Sequence, residues 1–380
     1  MEKFTYHNPT QLINGKDAHK SIGKVLAKDS VSAVLLVYGR SHIKKTGLLD
    51  EVLALLKEQN IKAVLYGGVS SNPLLSHARE GVELAKQHNV DAILAIGGGS
   101  VVDECKAIAA ATKTGCDVWE LYTGRKADAA LPLYVILTLS ATGSEMNAGS
   151  VLTNEETKEK FAFGSPHTFP KVSIVNPEHA YTVPANYLAY SAIDAISHVI
   201  EVYFNAQKLP TIQKRFMENI ILTVIETTER IMENPKDYDA RAEFALATTW
   251  ALNSLTRMGT GLAPFPVHMI EHSLSAIYNV PHGAGLAVVI PAWMKWAKAE
   301  RGERLTQFAK AIFNVETADE GIAALEAWFK KIAAPIRLAE LEIDKKDVDM
   351  IAENAYLTSE RWRMSETYSK DAIADVLAFA

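Results

Sequence analysis

Four apolar runs in the first half constrain this chain more than any other feature. VSAVLLVYG (31–39), IKAVLYGGV (61–69), VDAILAIGGGS (90–100) and LPLYVILTLS (131–140) are short and rich in apolar, β-branched residues. They are apolar throughout rather than alternating, so each needs cover on both faces, as a buried parallel strand has. Helix-like stretches at 45–58 and 74–88 separate the first three, and another follows at 100–112. Alternation of this kind implies a doubly wound α/β sheet. Residues 150–176 read as a hairpin or extended excursion, with TNEETKEK as its polar turn.

After Pro184 the pattern changes to helical spacing. Helices are expected at 186–204, 211–232, 239–258, 264–278, 284–299, 303–313, 319–332, 345–356 and 370–378. Pro184, Pro210, Pro235, Pro264, Pro281 and Pro335 fall where a helix should start or stop. A chain of 380 residues exceeds one simple core. We expect an α/β domain over 1–180 and an all-helical domain over 181–380, without repeat or low-complexity linker.

Two loops at strand ends carry chemistry. In VDAILAIGGGSVVDECKAIAAA, Gly97, Gly98 and Gly99 let backbone approach a ligand, and Ser100 can cap the helix whose N–H groups attract phosphate. It is neither G-x-G-x-x-G nor a Lys-containing P-loop, and a triple glycine also serves as a plain tight turn. In TLSATGSEMN, Thr138, Thr142, Ser144 and Asn147 can donate to a nucleotide. The first strand ends Tyr38-Gly39-Arg40-Ser41, with Lys44 and Lys45 beyond and no acid. That composition suits a ribose 2′-phosphate, which an acid would repel; it is also an ordinary solvated turn.

The second half holds a different set. Asp194 and His198 are four residues apart and share a helical face, as do His268 and His272; His282 follows Pro281 at a turn. Of eleven histidines, seven are scattered before position 180 and these are the other four. One histidine per helix reads as a satisfied core residue, whereas five candidates on apolar helices read as a divalent-metal site. Carboxylate plus imidazole suits Fe²⁺ or Zn²⁺. His268 is followed by Met269, so this is not the zinc-protease motif.

Net charge is −6, with Lys and Arg scattered among acids, which argues against nucleic acid. No stretch is apolar for long enough to span a bilayer, and MEKFTYHNPT lacks the order of a signal peptide. Cys105 and Cys116 are the only cysteines, so a disulfide framework is excluded and the cytoplasm is expected.

GGGSVVD, TLSATGSE, AIDAISHVIE and VHMIEHSLSAIYNVPHG, in this order and spacing, resemble the iron-containing alcohol dehydrogenase family over nearly the whole chain. VYGRSHIKKTGLLDEV and ATGSEMN resemble its NADPH-dependent butanol dehydrogenase and aldehyde reductase branch. The resemblance implies a nucleotide-binding α/β domain with a parallel sheet and an all-α metal-binding domain. It implies Asp194, His198, His268 and His282 as ligands of Fe²⁺, with Zn²⁺ or another divalent ion as alternatives. It sets His272 apart as a candidate for proton transfer or positioning. Gly97, Gly98, Gly99 and Ser100 match pyrophosphate contacts, and Asp103 a position near the nicotinamide. Thr138, Thr142, Asn147 and Lys160 match further cofactor contacts. Gly39 occupies the place of an Asp in NAD-using relatives, followed by Arg40 and Ser41, which implies NADP(H). Leu139, Arg40 and Asn176 depart from the family pattern. The expected reaction is hydride transfer between NADP(H) and a primary alcohol–aldehyde pair, by a homodimer. A glycerol dehydrogenase-like polyol oxidoreductase and a metal-dependent hydrolase are the competing readings. Trp119, Phe265 and Trp362 are candidates either for the substrate pocket or for the core.

Overall fold

The computed structural model describes residues 1–40 and 42–380. The chain divides into two compact units, His7–Thr182 and Val183–Ala380, the latter joined by Met1–Tyr6.

The first unit contains strands β1 (Gln11–Asn14), β2 (Ala33–Tyr38), β3 (Lys62–Gly67), β4 (Ala92–Gly98), β5 (Leu133–Leu139), β6 (Gly149–Asn154), β7 (Glu159–Gly164) and β8 (Val172–Val175). Among the described residues six of them form one sheet in the order β1-β8-β5-β4-β2-β3, parallel throughout. The four expected runs are β2 to β5. The expected excursion contains the antiparallel hairpin β6–β7. Sequence reading did not see that β8, from the same excursion, and β1 both join the main sheet. Each is only four residues long, QLIN and VSIV, too short for a periodic signal.

Helices α1 (Ile22–Lys28), α2 (His42–Lys45) and α3 (Leu48–Glu58) precede β3; α4 (Leu75–Gln87), α5 (Gly99–Thr114) and α6 (Val118–Tyr122) follow it. On one face of the sheet Leu26, Val52 and Leu56 join Leu36, Ile96 and Ile136 in a core cluster. On the other, α4 and α5 approach so closely that a Cβ on Gly81 would strike Ile108. The chain leaves β2 for β3 on one side, and leaves β4 for β5 on the other. The strand order therefore reverses between β2 and β4, and a doubly wound sheet opens its ligand crevice at the carboxyl ends of such a pair. Gly39 and Gly97–Gly99 stand at those ends.

The second unit is helical: α7 (Ala185–Asn205), α8 (Thr211–Glu233), α9 (Tyr238–Ala251), α10 (Pro266–Tyr278), α11 (His282–Phe308), α12 (Ala318–Lys331), α13 (Val348–Arg361) and α14 (Lys370–Leu377). From Ser191 to Asn205 every residue of α7 is buried, on all sides of the helix, as befits a helix at the centre of a bundle. The helices expected at 284–299 and 303–313 are one. α11 runs through Gly302 and continues into a π-helical turn at Ala309–Phe313. A single glycine weakens a helix by about 1 kcal/mol, which packing of a long buried helix outweighs. Conversely α9 stops at Ala251, because Ser254 adopts a left-handed conformation and a short 3₁₀ turn follows.

The start of α11 sits against α7. A Cβ on Gly283 would run into the backbone of Tyr190. Gly283→Ala must therefore push α11 off α7, at a cost of about 1–3 kcal/mol. Urea denaturation measures it, and an unchanged midpoint would show that this approach is not tight.

Candidate metal centre

Helices α7, α10 and α11 bring Asp194, His198, His268 and His282 together. Asp194 Oδ1 lies 3.6 Å from His198 Nε2, 3.8 Å from His268 Nε2 and 3.6 Å from His282 Nε2. Asp194, His268 and His282 present ligand atoms that all lie within 4.8 Å of one another. His198 stands beside that trio, its ring stacked on His268 at 4.6 Å. Atoms hydrogen-bonded to each other lie about 2.9 Å apart. Atoms each about 2.1 Å from a shared tetrahedral ion lie about 3.4 Å apart. The observed spacings suit the second arrangement. Asp194 Oδ1 and His268 Nε2 are moreover buried without a hydrogen-bond partner among the described residues. Orphaned atoms that can each present a lone pair to one point fit a cation between them.

Two glutamates back this cluster, and sequence reading passed over both. Glu201 on α7 is fully buried; it accepts from Val267 N at 2.6 Å and is paired with His268 Nδ1. Glu271 on α10 is fully buried and is paired with His282 Nδ1 and with the Ser275 hydroxyl. Their signal was present as spacing. Glu201 is three residues past His198, and Glu271 three past His268, on the same helical faces.

Burial and charge divide the imidazoles. On the protein alone, burial disfavours charge on His268, but Glu201 and Asp194 together outweigh it and hold the imidazolium up to about 9. Burial pushes His198 down to about 4, only partly offset by Asp194. Asp194 is raised by burial but lowered more by its three imidazole neighbours, to about 2.

His272 is buried on α10, outside the trio. Its ring lies 5.9 Å from that of His282 and meets Trp362 edge-on at 5.5 Å. Phe265 packs against His268 at 5.4 Å and carries the Arg257 guanidinium on its other contacts, 5.1 Å from the ring centroid. Phe265 and Trp362 thus lie beside the cluster. Trp119 stacks on Tyr122 and Phe161 in the first unit, where it is a packing residue.

In the first unit the structure separates positions with open space from closely packed ones. A Cβ on Gly39 would meet only Val69 O at 3.7 Å and Val101 Cγ2 at 3.9 Å, so a side chain fits there. Arg40 is exposed, and Ser41 lies outside the described residues. A Cβ on Gly97 would strike Val101, one on Gly99 would strike Thr142, and one on Gly98 would lie 3.1 Å from Leu139 Cβ. Packing of the loop itself demands these glycines. Ser100 does not cap α5, contrary to expectation. The helix starts at Gly99, so Ser100 is already in its first turn, and its hydroxyl donates to Ser71 O at 2.5 Å. The N-cap residue is Gly98, which has no side chain to cap the terminus.

The donors of the second loop turn inward. Ser144 Oγ donates to Asp103 Oδ1 at 2.5 Å, Thr142 Oγ1 accepts from Ser144 N at 3.1 Å, and Asn147 Nδ2 donates to Gly143 O at 3.0 Å. Asp103 also accepts from Val151 N at 3.0 Å. Lys106, unremarked in the sequence, is fully buried and donates to Ser144 Oγ at 2.7 Å, Asn147 Oδ1 at 3.0 Å and Gly149 O at 2.6 Å. Burial pushes its ammonium down to about 8, against Asp103 and Glu145. Thr138 is buried at the end of β5, and Lys160 is buried on β7, donating to Asn72 Oδ1 at 3.2 Å. Asp103, Ser144 and Asn147 thus hold this loop in shape.

The first unit is a doubly wound sheet, and the second holds a buried carboxylate–imidazole cluster that could take a metal ion. Comparison with known proteins agrees. Residues 9–177 match the iron-containing alcohol dehydrogenase family, and residues 188–380 match the C-terminal part of the Fe-containing alcohol dehydrogenase family. The chain belongs to the iron-containing alcohol dehydrogenase family, and its chemistry is that of an alcohol dehydrogenase or aldehyde reductase. It is 41% identical to "Probable NADH-dependent butanol dehydrogenase 1" of Bacillus subtilis, over 93% of this chain and 94% of that protein. It is 34% identical to NADPH-dependent aldehyde reductase YqhD of Escherichia coli, over 92% and 91%. The crystal structure of NADH-dependent butanol dehydrogenase A from Thermotoga maritima superposes with a TM-score of 0.97 at 40% identity, covering 100% of this chain and 99% of that one.

Ligation needs a free lone pair on His268 Nε2, yet on the protein alone this ring keeps its second proton up to about 9. Divalent-metal affinity should therefore rise with pH below that value, by about tenfold per unit for one displaced proton. Chelator competition near pH 7 and near pH 8 checks the slope; equal affinities at both would contradict it.

Proposed function

We propose that this protein transfers hydride reversibly between NADP(H) and a primary alcohol–aldehyde pair of the butanol–butanal kind. The observation that carries this reading is the convergence of Asp194 Oδ1 with three imidazole Nε2 atoms at 3.6–3.8 Å, in a chain of this family. Asp194, His198, His268 and His282 would hold Fe²⁺, with Zn²⁺ as the alternative ion. When bound, the ion supplies Lewis acidity toward the substrate oxygen, and the nicotinamide supplies or accepts the hydride.

The chain's own residues do the rest. Three neutral imidazoles and one carboxylate leave a net positive charge at the ion's position, which favours oxygen anions over neutral ligands. His272 is the candidate to hold or pass the hydroxyl proton, since it lies next to the ligand set without belonging to it. Phe265 and Trp362 give the cluster apolar neighbours, which suits an alkyl substrate better than a polyol. In the first unit the uncapped amides of α5 are the proposed cradle of the pyrophosphate.

Relatives are named for both coenzymes, so the preference for NADP(H) rests on the end of β2 in this chain. Gly39 and Arg40 bring no negative charge to that point and one positive charge. Both cysteines are free thiols, which suits the cytoplasm, and among the described residues no helix is long and apolar enough to cross a membrane. The resemblance to the family also supports a homodimer, which sedimentation would read directly.

Two outcomes test the proposal. Asp194→Asn and His198→Ala should lose nearly all butanal reduction, by about 10²-fold or more, while NADPH fluorescence still reports binding. Full turnover by either variant sinks the ligand assignment. Gly39→Asp, for which the backbone has room, should lower the NADPH/NADH ratio of kcat/KM by about tenfold or more, the effect of one like charge beside the 2′-phosphate. An unchanged ratio removes this residue as the selector.

A further inference from the structure

We propose that Glu201 is a positioning residue of the metal centre: it keeps the His268 ring proton on Nδ1, so that Nε2 is the nitrogen that gives up its proton to a metal ion. The proposal rests on reading the cluster as a metal centre. Glu201 lies on α7, seven residues beyond Asp194, yet its partners are on α10. Its Oε1 accepts from Val267 N at 2.6 Å. Its Oε2 accepts from His268 N at 3.4 Å and meets His268 Nδ1.

Each of these partners gives a hydrogen. Two are backbone amides. The third, Nδ1, must carry the ring proton if Nε2 is to act as a ligand. A carboxylate has only lone pairs to offer and so meets all of them. A carboxamide of the same shape does not. With its NH₂ toward Val267, two N–H groups collide. With its NH₂ toward His268, it donates to Nδ1 and sends the ring proton to Nε2, the atom aimed at Asp194. This position therefore requires a group that accepts on both sides.

Glu271 makes the informative contrast. One of its oxygens meets His282 Nδ1 and the other meets the Ser275 hydroxyl. A hydroxyl rotates and can accept as readily as donate, and Val280 O stands 3.3 Å from Ser275 Oγ as another acceptor. Glutamine at 271 can keep its carbonyl on His282 Nδ1 and donate its NH₂ to Ser275. His282 then stays in the ligating tautomer.

The test is Zn²⁺ affinity of the full-length protein, by competition with a chromophoric chelator and without coenzyme or substrate. The visible spectrum of the Co²⁺-loaded form serves as a second readout of the ligand set. Glu201→Gln should bind Zn²⁺ about 10–100-fold more weakly and lose or shift the Co²⁺ bands. Glu271→Gln should lose less than about tenfold and keep them. Unchanged affinity in Glu201→Gln overturns the proposal, as does an equal loss in both variants, which would mean that charge alone matters. Thermal unfolding of the metal-free variants exposes any folding defect. If Glu201→Gln does not fold, Glu201→Asp keeps acceptors only but withdraws them by one methylene. It should fold and bind Zn²⁺ more weakly than wild type; wild-type affinity in that variant also overturns the proposal. Wild-type protein that binds neither Zn²⁺ nor Co²⁺ overturns the metal-centre reading itself, and the two failures are thereby told apart.

Discussion

Burying charge is expensive, and the helical unit is arranged around that fact. Asp194, Glu201 and Glu271 are sunk among helices whose other residues are mostly apolar. An isolated buried carboxylate costs several kcal/mol or gives up its charge. Glu201 and Glu271 avoid this by accepting hydrogen bonds from imidazoles and, for Glu201, from backbone amides. Among the described residues Asp194 Oδ1 has three imidazole nitrogens around it, all too far away to be hydrogen-bonded. On protein groups alone the cluster is incomplete. A divalent cation would complete it, because it would satisfy the anion and the lone pairs at once.

The α/β unit answers the same constraint differently. Lys106 is buried beside Asp103, and hydrogen bonds to Ser144, Asn147 and Gly149 absorb all its donors. The result is a rigid loop after β5, with its polar side chains already spent on one another. Thr142, part of that loop, packs where a Cβ on Gly99 would be. The two loops therefore shape each other.

Legibility followed from whether a property belongs to one segment or to a contact. Strands β2 to β5 were readable because burial on both faces makes a strand apolar along its length. β1 and β8 were not, since four residues carry no period, and their place in the sheet is a matter of pairing. The division at Gly302 was wrong because a glycine's local penalty says nothing of the packing that opposes it. Asp194 and the histidines stood out because such residues are uncommon on apolar helices. Glu201 and Glu271 did not, because glutamates are seldom fully buried and read by default as solvent-facing. The inward turn of Ser144 and Asn147, and the Ser100 hydroxyl bonded to Ser71, depend on partners distant in sequence, and no reading of loop composition could supply them.

The two glutamates also tie together the three helices that carry the cluster. Glu201 reaches from α7 to His268 on α10, and Glu271 reaches from α10 to His282 on α11. Each helix holds the next helix's imidazole. Glycine marks the points where this demands close approach: Gly283 lets α11 begin against Tyr190 of α7, and a Cβ on Gly285 would come within 2.7 Å of Glu271 Oε1. The packing of the bundle and the orientation of the ligands are thus the same contacts. A change that loosens α11 on α7 should be felt at the metal, and a change at the ligands should be felt in the stability of the bundle. His198 is the exception, as its Nδ1 is buried with no hydrogen-bond partner among the described residues. It is held by the stacking of its ring on His268 and by its own helix, which makes it the imidazole of the cluster least constrained in angle.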